Sequence, residues 1–393
     1  MRRLLFITWD GPQVHYLEGL FLPILQGLRE EYAVHVVQFT WGDPAVSARV
    51  SERLREAGIS YRRVQVGPRF FLPLGIIATL LRGMLLLRSY IRSARIDVVL
   101  FRSTYPALMV LPWMGRNGTW VFDADGLPLE EKVDFAGMNS RGLAFRGLKW
   151  TERLTVRKAD RVLVRSLKAV PALQDAAGMD KFFVVQNGRD TGLFRLPEPA
   201  ARAALRKELG VEEGTLLLAY CGSLGPQYCV PEMLTLLEDL QRERAARLMI
   251  LTGSPDYLER LSLDPLVRER LLVYTLPAAG VSRYLGAADA GLAIRHNAPS
   301  MRAVSPVKLG EYLLCGLPVV ASSGIGDSDE LLDGQRACRV IGDHTAPTLA
   351  AAARWVAQVA GDKDIQASAR RLGLEKFNLE DSILSYRKAL EGL

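Results

Sequence analysis

Cysteine and histidine are scarce in this chain of 393 residues. The four cysteines (Cys221, Cys229, Cys315 and Cys338) form no Cys-x-x-Cys pair, and with only four histidines the sequence indicates no Cys/His ligand cluster. This scarcity argues against a disulfide framework and against a zinc site. A reducing compartment, the cytoplasm, is therefore expected.

Long apolar runs and cofactor fingerprints are also missing. The first run, Leu4–Thr8, is too short for a signal peptide and ends at Asp10-Gly11-Pro12 without a cleavage pattern. No uncharged segment reaches the roughly 20 residues that a membrane-spanning helix needs. The pattern G-x-G-x-x-G does not occur where a strand meets a helix, so a nicotinamide cofactor gains no support.

Positive charge is concentrated in one half of the chain. The net charge is +7, and residues 1–192 carry 27 Lys and Arg against 18 Asp and Glu, whereas residues 193–393 carry 23 against 25. A basic first half could serve nucleic acid, anionic lipid or an acidic acceptor. No helix-turn-helix, zinc-finger or RNP signature accompanies it, so nucleic acid is the weakest of the three.

Apolar β-rich runs alternate with helical periodicity along both halves, which predicts an α/β fold with two doubly wound, Rossmann-like parallel-sheet domains facing a cleft. We place a first domain at 1–192 and a second at 193–378, joined through Thr191–Ala200. The predicted strands are Leu4–Thr8, Ala33–Phe39, Val98–Phe101, Thr119–Phe122 and Arg161–Val164, then Leu216–Cys221, Arg247–Thr252, Leu271–Tyr274, Ala290–Ile294 and Pro318–Ala321.

The segment 70–95 is unusually apolar and ends in arginines. Helical spacing predicts that Arg88, Arg92 and Arg95 share one face. A buried crossover helix with one wet face and an interfacial helix lying on anionic lipid both fit this pattern. Its uncharged stretch is too short for a transmembrane span.

Two motifs in the second half predict a binding site. Gly222-Ser223-Leu224 follows an apolar strand and precedes a predicted helix, Val230–Leu240. Amides at such a turn, together with the helix N-terminus, favour an anion, although a plain βα turn fits equally well.

The second motif runs from Ser305 to Val320. Ser305 is expected as the N-cap and Pro306 in the first turn of a helix. Lys308 and Glu311 would share one face near its N-terminal end. There a carboxylate can accept hydrogen bonds from both ribose hydroxyls and an ammonium can balance phosphate; the alternative is an ordinary surface ion pair.

The order of these motifs resembles a known family. Asn-Gly-x-Asp-x-x-x-Phe at 187–194, Gly-Ser-Leu at 222–224, Ala-Asp-Ala-Gly-Leu-Ala at 288–293 and Ser-Pro-x-Lys-Leu-x-Glu-Tyr-Leu from Ser305 are similar to family 4 of the retaining, GT-B glycosyltransferases. The resemblance covers nearly the whole chain and is most specific from about 160 to 335.

The resemblance implies a nucleotide-sugar donor site in the second domain. Glu311 would hold the ribose, and a C-terminal helix, 379–393, would pack back on the first domain. The backbone of Ser322–Gly326 would line the same pocket. The residues expected at the donor are Gly222, Ser223, Leu224, Arg295, Ser305, Pro306, Lys308 and Glu311.

Three positions depart from the family pattern. Ser223 and Tyr228 stand where members often carry Arg and Lys at the diphosphate, and Ala303 stands where many carry a Glu. Lys308 with Arg295 or Arg302 could replace the missing cations, because a diphosphate in a low-dielectric cleft needs only one or two fixed positive charges.

The acceptor side is less clearly marked. Asp123 and Asp125 follow a predicted strand and could orient or deprotonate an acceptor hydroxyl, or simply form a turn. His15 is a further acceptor-side residue. The Asp-x-Asp spacing invites a metal, but metal-dependent glycosyltransferases use it in another fold, so no metal is expected here.

The sequence thus predicts a metal-independent hexosyltransferase that moves a sugar, with retention, from a nucleotide diphosphate to a lipid-linked or cell-surface glycan. The resemblance implies the retention, and Asp123, Asp125, Lys308 and Glu311 are the expected catalytic residues. No cofactor is expected beyond the donor substrate, and the inner face of the membrane is a further expected location. A sugar-nucleotide epimerase and a non-catalytic partner subunit stay as alternatives.

Overall fold

A computed structural model describes residues 1–11, 16–41, 44–67, 72–115, 118–174 and 178–393. They divide into two compact units, residues 1–186 with 382–393, and residues 187–381. The passage between the units falls six residues before the 192/193 boundary expected from sequence. The reason is local, because Asn187 and Arg189 bind residues of the second unit, Ser305 and Glu311.

The first unit is a parallel sheet with helices on its connections. Its described strands are β1 (Arg2–Asp10), β2 (Tyr32–Thr40), β3 (Ser60–Gln65), β4 (Val98–Arg102), β5 (Thr119–Asp123), β6 (Arg161–Val164) and β7 (Phe182–Val184). Its described helices are α1 (Leu22–Gly27), α2 (Pro44–Glu56), α3 (Leu72–Ser93), α4 (Thr104–Val110), α5 (Pro128–Phe135), α6 (Leu143–Lys158) and α7 (Val170–Leu173).

The second unit repeats the plan. Its strands are β8 (Leu216–Cys221), β9 (Ala246–Leu251), β10 (Leu271–Tyr274), β11 (Ala290–Ala293), β12 (Val319–Ser322) and β13 (Cys338–Ile341). The remaining helices are α8 (Pro199–Glu208), α9 (Val230–Glu243), α10 (Asp256–Glu259), α11 (Pro265–Glu269), α12 (Ala278–Leu285), α13 (Val307–Leu314), α14 (Ser328–Leu332), α15 (Ala346–Val359), α16 (Lys363–Lys376) and α17 (Leu379–Leu390).

Strand order confirms the prediction of two doubly wound domains. The orders are β3-β2-β1-β4-β5-β6-β7 and β10-β9-β8-β11-β12-β13, and the described pairings are parallel. In each sheet the order reverses beside the first strand of its unit. Ligands of such sheets gather at the carboxyl ends of the strands on either side of that reversal.

The second unit's reversal point is held open by a tyrosine. β8 and β11 pair only through Ala290 and Gly291. Beyond them the Tyr312 hydroxyl accepts from the Cys221 amide at 2.7 Å and donates to the Leu292 carbonyl at 3.2 Å. The Tyr312 hydroxyl thus replaces the backbone hydrogen bonds between β8 and β11 where these strands separate. It also fixes α13 against the sheet.

The strands that sequence reasoning missed lie at sheet edges. β3 (Ser-Tyr-Arg-Arg-Val-Gln) and β13 (Cys-Arg-Val-Ile) expose one face, and β7 has only three residues. Their composition lacks the continuous apolar run that marks a buried parallel strand. Inner strands such as β1 have that run, and residues 4–7 are fully buried.

Helix α3 differs from the predicted arrangement of arginines. It ends at Ser93, and Arg95 follows with a φ of +48°, so Arg95 cannot share a helical face with the other two. Arg88 stacks on the Trp113 ring at 4.4 Å. No helix within the described residues is long and apolar enough to cross a membrane.

The C-terminal residues 382–393 belong to the first unit. In α17 the Ser382 hydroxyl donates to the Gln186 carbonyl, and Arg387 donates to the Gly27 carbonyl at 2.7 Å. Ile383 fills the space beside Gly27, where an added Cβ would lie 2.4 Å from the isoleucine.

Contact at the reversal point gives a stability prediction. An added Cβ at Gly291 would lie 2.4 Å from the Tyr312 ring, so Gly291→Ala must push α13 from the sheet. We expect a loss of about 1–3 kcal/mol in the free energy of unfolding, measured by urea denaturation. Gly280→Ala, where the nearest atom is 3.7 Å away, is the control. Equal stability of the two variants would contradict the tight packing.

Candidate functional site

A buried ammonium lies at the reversal point of the second unit. Lys308, near the start of α13, is 6% exposed. Its Nζ is 3.8 Å from the centroid of the Tyr220 ring, and an added Cβ at Gly222 would lie 3.2 Å from it. No hydrogen-bond partner of this nitrogen exists among the described residues.

Its electrostatic surroundings are positive. Burial, and then the charge of Arg295, lower the pKa of Lys308 well below its ordinary 10.5. The Arg295 guanidinium stacks on Tyr228 at 4.7 Å, and its buried Nε also lacks a partner. Within the described residues neither cation pairs with a carboxylate. An aromatic face contributes only about 0.5–2 kcal/mol, so the site favours an incoming anion.

Glu311, one helical turn after Lys308, is held by another partner. Its carboxylate accepts from Arg189 at 2.7 Å, and both side chains are at least nine-tenths buried. The Arg189 guanidinium also stacks on Phe194 at 5.0 Å. The Asn-Gly-Arg-Asp-x-x-x-Phe motif therefore supplies the ion-pair partner that orients Glu311.

The turn after β8 has the glycine geometry and the following helix that the sequence indicates. Gly222 adopts a φ of +137°, which a side chain rarely takes. Ser223 is exposed and Leu224 is buried. Helix α9 begins at Val230, as predicted, and a 3-10 turn at Pro226–Tyr228 separates its N-terminus from Leu224.

Two details of the Ser305 motif are corrected. Helix α13 begins at Val307, so Pro306 and not Ser305 occupies the N-cap position, and no side chain caps it. The Ser305 carbonyl instead accepts from the Asn187 side chain at 3.1 Å. Gly316, with a φ of +75°, follows the C-cap residue Cys315 at the end of the helix.

The expectation that the backbone of Ser322–Gly326 lines the pocket finds little support. The amides of Ser323, Gly324 and Gly326 donate to Ile341, Asp329 and Met301 respectively. These donors are therefore unavailable to a diphosphate. Ala303 is fully buried and Arg302 is exposed, so of the predicted cations Lys308 is buried and Arg295 is partly buried.

In the first unit, the predicted carboxylates form a closed charge network. Asp123 is fully buried and accepts from Arg165 at 2.8 Å, and Asp125 pairs with Arg102 at 2.6 Å. Arg102 also binds Asp10 at 2.9 Å. Burial alone would lower the pKa of Arg102, but the three nearby carboxylates raise it by more than burial lowers it. The guanidinium therefore stays charged.

This network distinguishes the predicted acceptor residues. Complete burial of Asp123 argues against contact with an acceptor. Asp125 is partly exposed, with a φ of +55°, and burial raises its pKa against the opposing effect of Arg102. His15 lies outside the described residues.

The sequence indicates no Cys/His ligand cluster, but the fold brings potential metal ligands together. Atoms of Cys229, Glu232, His296 and His344 lie within 4.8 Å of one another. No short-spacing motif marks them, because each pair except Cys229 and Glu232 is separated by at least one whole βα unit. Arg189, Tyr220 and Tyr312 were also missed, although Arg189 lies inside a recognised motif.

The chain is similar to known glycosyltransferases in sequence and in fold. Residues 21–188 match the family described as "Glycosyl transferase 4-like domain". The chain is 26% identical over 210 residues to alpha-maltose-1-phosphate synthase from Mycolicibacterium smegmatis, covering 49% of this chain and 51% of that protein. It is 28% identical over 236 residues to D-inositol 3-phosphate glycosyltransferase from Nocardia farcinica, covering 57% and 49%. The chain spans about half the length of these curated relatives.

Among solved structures, HepE from Anabaena matches all of both chains with a TM-score of 0.72 and 17% identity. That protein was solved with UDP, with UDP and glucose, and with UDP-glucose. The fold is that of the GT-B glycosyltransferases. Residues 21–188 thus match a glycosyl transferase 4-like domain, and the two relatives agree with the resemblance to family 4 that the motifs indicate.

The unpaired ammonium gives the second prediction. Replacing Lys308 with Met removes a buried charge, so the unliganded variant should gain about 1–3 kcal/mol in the free energy of unfolding. Because the folded-state pKa is lowered, wild-type stability should rise as pH increases from neutral towards about 10, and the variant should lose that slope. Inorganic pyrophosphate should stabilise the wild type and not the variant.

Urea denaturation across pH, with and without pyrophosphate, measures all three effects. Lys132→Met is the matched control, because Lys132 also faces a tyrosine ring, at 5.3 Å, but in the first unit. If the Lys308→Met variant is stabilised by pyrophosphate as strongly as the wild type, Lys308 does not form the anion site.

Proposed function

We propose that the chain transfers a sugar from a nucleotide-diphosphate sugar to a glycan or lipid-linked acceptor. The observation that carries the proposal is a pair of cations without a carboxylate partner among the described residues, the buried Lys308 and the partly buried Arg295, at the reversal point of the second unit. Beside them Glu311 is oriented by its ion pair with Arg189. Two cations and one oriented carboxylate fit the diphosphate and the ribose of one ligand.

UDP is the nucleoside diphosphate that we propose. Its support is the set of UDP and UDP-glucose complexes of the HepE structure, which shares this fold. In our assignment the Lys308 ammonium and the Arg295 guanidinium neutralise the diphosphate. Glu311 accepts hydrogen bonds from the ribose hydroxyls, and Gly222 leaves room for the phosphates because it has no side chain.

The proposed reaction breaks the bond between the sugar C1 and the β-phosphate oxygen. The acceptor hydroxyl forms the new bond to C1, its proton leaves to a base, and the nucleoside diphosphate departs with both electrons of the broken bond. Lys308 and Arg295 would stabilise the charge that develops on the leaving diphosphate, without a metal. Retention of configuration rests on the resemblance to family 4.

Of the two predicted acceptor carboxylates, Asp125 is the better supported. It is partly exposed and burial raises its pKa, whereas Asp123 is fully buried and bonded to Arg165. We therefore retain Asp125 as the acceptor-side residue of this proposal. Lys308 and Glu311 act on the donor.

The ribose assignment gives the third prediction. Wild-type protein should bind UDP more tightly than 2′-deoxy-UDP by roughly 5- to 100-fold, since an unmade hydrogen bond to a charged partner costs about 1–3 kcal/mol. Glu311→Gln should weaken UDP binding and remove most of this preference. Isothermal titration calorimetry measures both affinities.

Glu208→Gln is the control, because Glu208 forms an exposed ion pair with Arg283 in the same unit. Thermal melts of each variant verify folding. If Glu311→Gln prefers UDP over 2′-deoxy-UDP as strongly as the wild type does, Glu311 does not bind the ribose. Incubating UDP-sugars without acceptor separates the epimerase alternative, which would yield the epimer, from a transferase, which leaves the sugar configuration unchanged.

Helix α3 supports a further part of the proposal, an acceptor at an anionic membrane surface. Ile77, Leu81 and Leu85 recur every four residues and are 52%, 58% and 65% exposed. Arg82 and Arg92, also exposed, flank this apolar row. An apolar row beside arginines is typical of a helix lying at a lipid interface.

The membrane assignment gives the fourth prediction. The double variant Leu81→Asp, Leu85→Asp should sediment less with vesicles containing anionic phosphatidylglycerol, because it removes apolar contact and adds negative charge. Leu266→Asp, which changes a leucine 62% exposed in the second unit, is the matched control. Equal sedimentation of wild type and double variant would exclude α3 as the contact.

A further inference from the structure

Four side chains with metal-binding atoms meet near the carboxyl ends of three strands. Cys229 immediately precedes α9 and Glu232 lies in its first turn, while His296 follows β11 and His344 follows β13. One ligand atom from each residue lies within 4.8 Å of the other three. The residues come from well-separated parts of the chain, so the fold itself brings them together.

The separations resemble those of a tetrahedral site. The Cys229 sulfur is 3.7 Å from Nδ1 of His344, and Nε2 of His296 is 3.8 Å from Oε1 of Glu232. With metal–ligand bonds of about 2.0–2.3 Å, tetrahedral ligand atoms lie about 3.3–3.8 Å apart. The sulfur–nitrogen separation is therefore close to that of a zinc site, the nitrogen–oxygen separation must shorten by about 0.4 Å, and the widest must close by about 1 Å.

An outer partner orients one histidine. Nε2 of His344 is 2.9 Å from the Ser322 hydroxyl, whose oxygen also accepts from the Arg295 amide at 2.9 Å. When this Nε2 donates to Ser322, Nδ1 presents its lone pair towards Cys229. Metal-ligating histidines are commonly oriented in this way, with the second ring nitrogen bonded to an acceptor.

Glu232 supplies an independent observation. The Glu232 side chain is 22% exposed, and its Oε2 atom is buried and has no hydrogen-bond partner among the described residues. A carboxylate oxygen buried without a partner costs about 1–3 kcal/mol or more. A bound cation would satisfy this oxygen.

We propose that Cys229, Glu232, His296 and His344 bind one Zn²⁺ ion. Thiolate, imidazole and carboxylate together suit zinc better than magnesium or calcium, which prefer oxygen ligands alone. Four protein ligands leave no open position, as in structural and not catalytic zinc sites. The ion would replace the thiol proton of Cys229 on binding.

The expected consequence is a fixed loop beside the donor site. The ion would tie the start of α9 to the ends of β11 and β13, next to Tyr228 and Arg295. It would leave the diphosphate to Lys308 and Arg295, so the proposed transfer stays metal-independent. The zinc proposal departs from the sequence expectation of no metal, and it does not depend on the proposed transferase activity.

Metal binding can be measured without any nucleotide. The purified full-length protein, stripped with a chelator and dialysed, is titrated with Zn²⁺ and with Co²⁺. We expect one equivalent of zinc by elemental analysis and a thiolate-to-cobalt charge-transfer band that zinc then displaces. A protein that retains no stoichiometric zinc and shows no such band overturns the proposal, and leaves a metal-free hydrogen bond between Cys229 and His344.

Variants assign the ligands. Cys229→Ser should lose the cobalt charge-transfer band, and His344→Ala should weaken zinc binding by more than the roughly 10- to 100-fold expected for Ser322→Ala. Cys338→Ser, which changes a free cysteine in β13 outside the cluster, should behave as wild type. Because the wild-type spectrum is itself decisive, a variant that fails to fold leaves the test intact. An unchanged band in Cys229→Ser contradicts the assignment.

Discussion

The hydroxyl of Tyr312 occupies the place where β8 and β11 part, and the site of the second unit depends on it. It accepts from Cys221 and donates to Leu292, so one phenol bridges two strands that no longer pair. Tyr312 lies on the same eight-residue helix as Lys308 and Glu311. A helix fixed at that point carries an ammonium and a carboxylate to the strand ends, and their positions follow from one buried hydrogen-bonded ring.

The charges of the two units are organised differently. In the first unit Arg102 and Arg165 each face carboxylates, so the charges of this network have opposite neighbours. In the second unit the Lys308 ammonium lies over aromatic faces with another cation near it and makes no ion pair within the described residues, because Glu311 is bound to Arg189. A compensated network stabilises the fold or fixes a loop, whereas an uncompensated buried cation lowers the stability of the free protein and favours a ligand that brings negative charge.

Much of this could be predicted from sequence, for identifiable reasons. Apolar runs such as Leu4–Ile7 locate inner parallel strands, and the Ser-Pro-x-Lys-Leu-x-Glu motif locates α13. The edge strands β3 and β13 were not predicted because they are partly exposed and lack the continuous apolar run of a buried strand. The pairing of Glu311 with Arg189 joins residues 122 positions apart, and no spacing rule within either motif encodes it.

Helix α3 and the cluster of Cys229, Glu232, His296 and His344 show what periodicity and composition leave out. The periodicity of 100° per residue placed Arg95 with Arg88 and Arg92, but it assumes a helix that continues, and this one stops at Ser93. The scarcity of cysteine and histidine argued against a metal, but composition counts residues and says nothing of where a sheet collects them. Parallel strands send successive loops to one edge, so ligands separated by whole βα units can meet there.

Tyr228 connects these features. It stands where the family resemblance implies a lysine, and its ring lies 4.7 Å from the Arg295 guanidinium and 5.2 Å from the Lys308 ammonium. An aromatic ring in that place holds two cations from other elements instead of supplying one itself. The charge offered to a diphosphate then comes from the end of β11 and from α13, and its position depends on how rigidly the loop carrying Tyr228 is held. Cys229, the next residue, is one of the four proposed zinc ligands, so a bound ion would hold this loop in place.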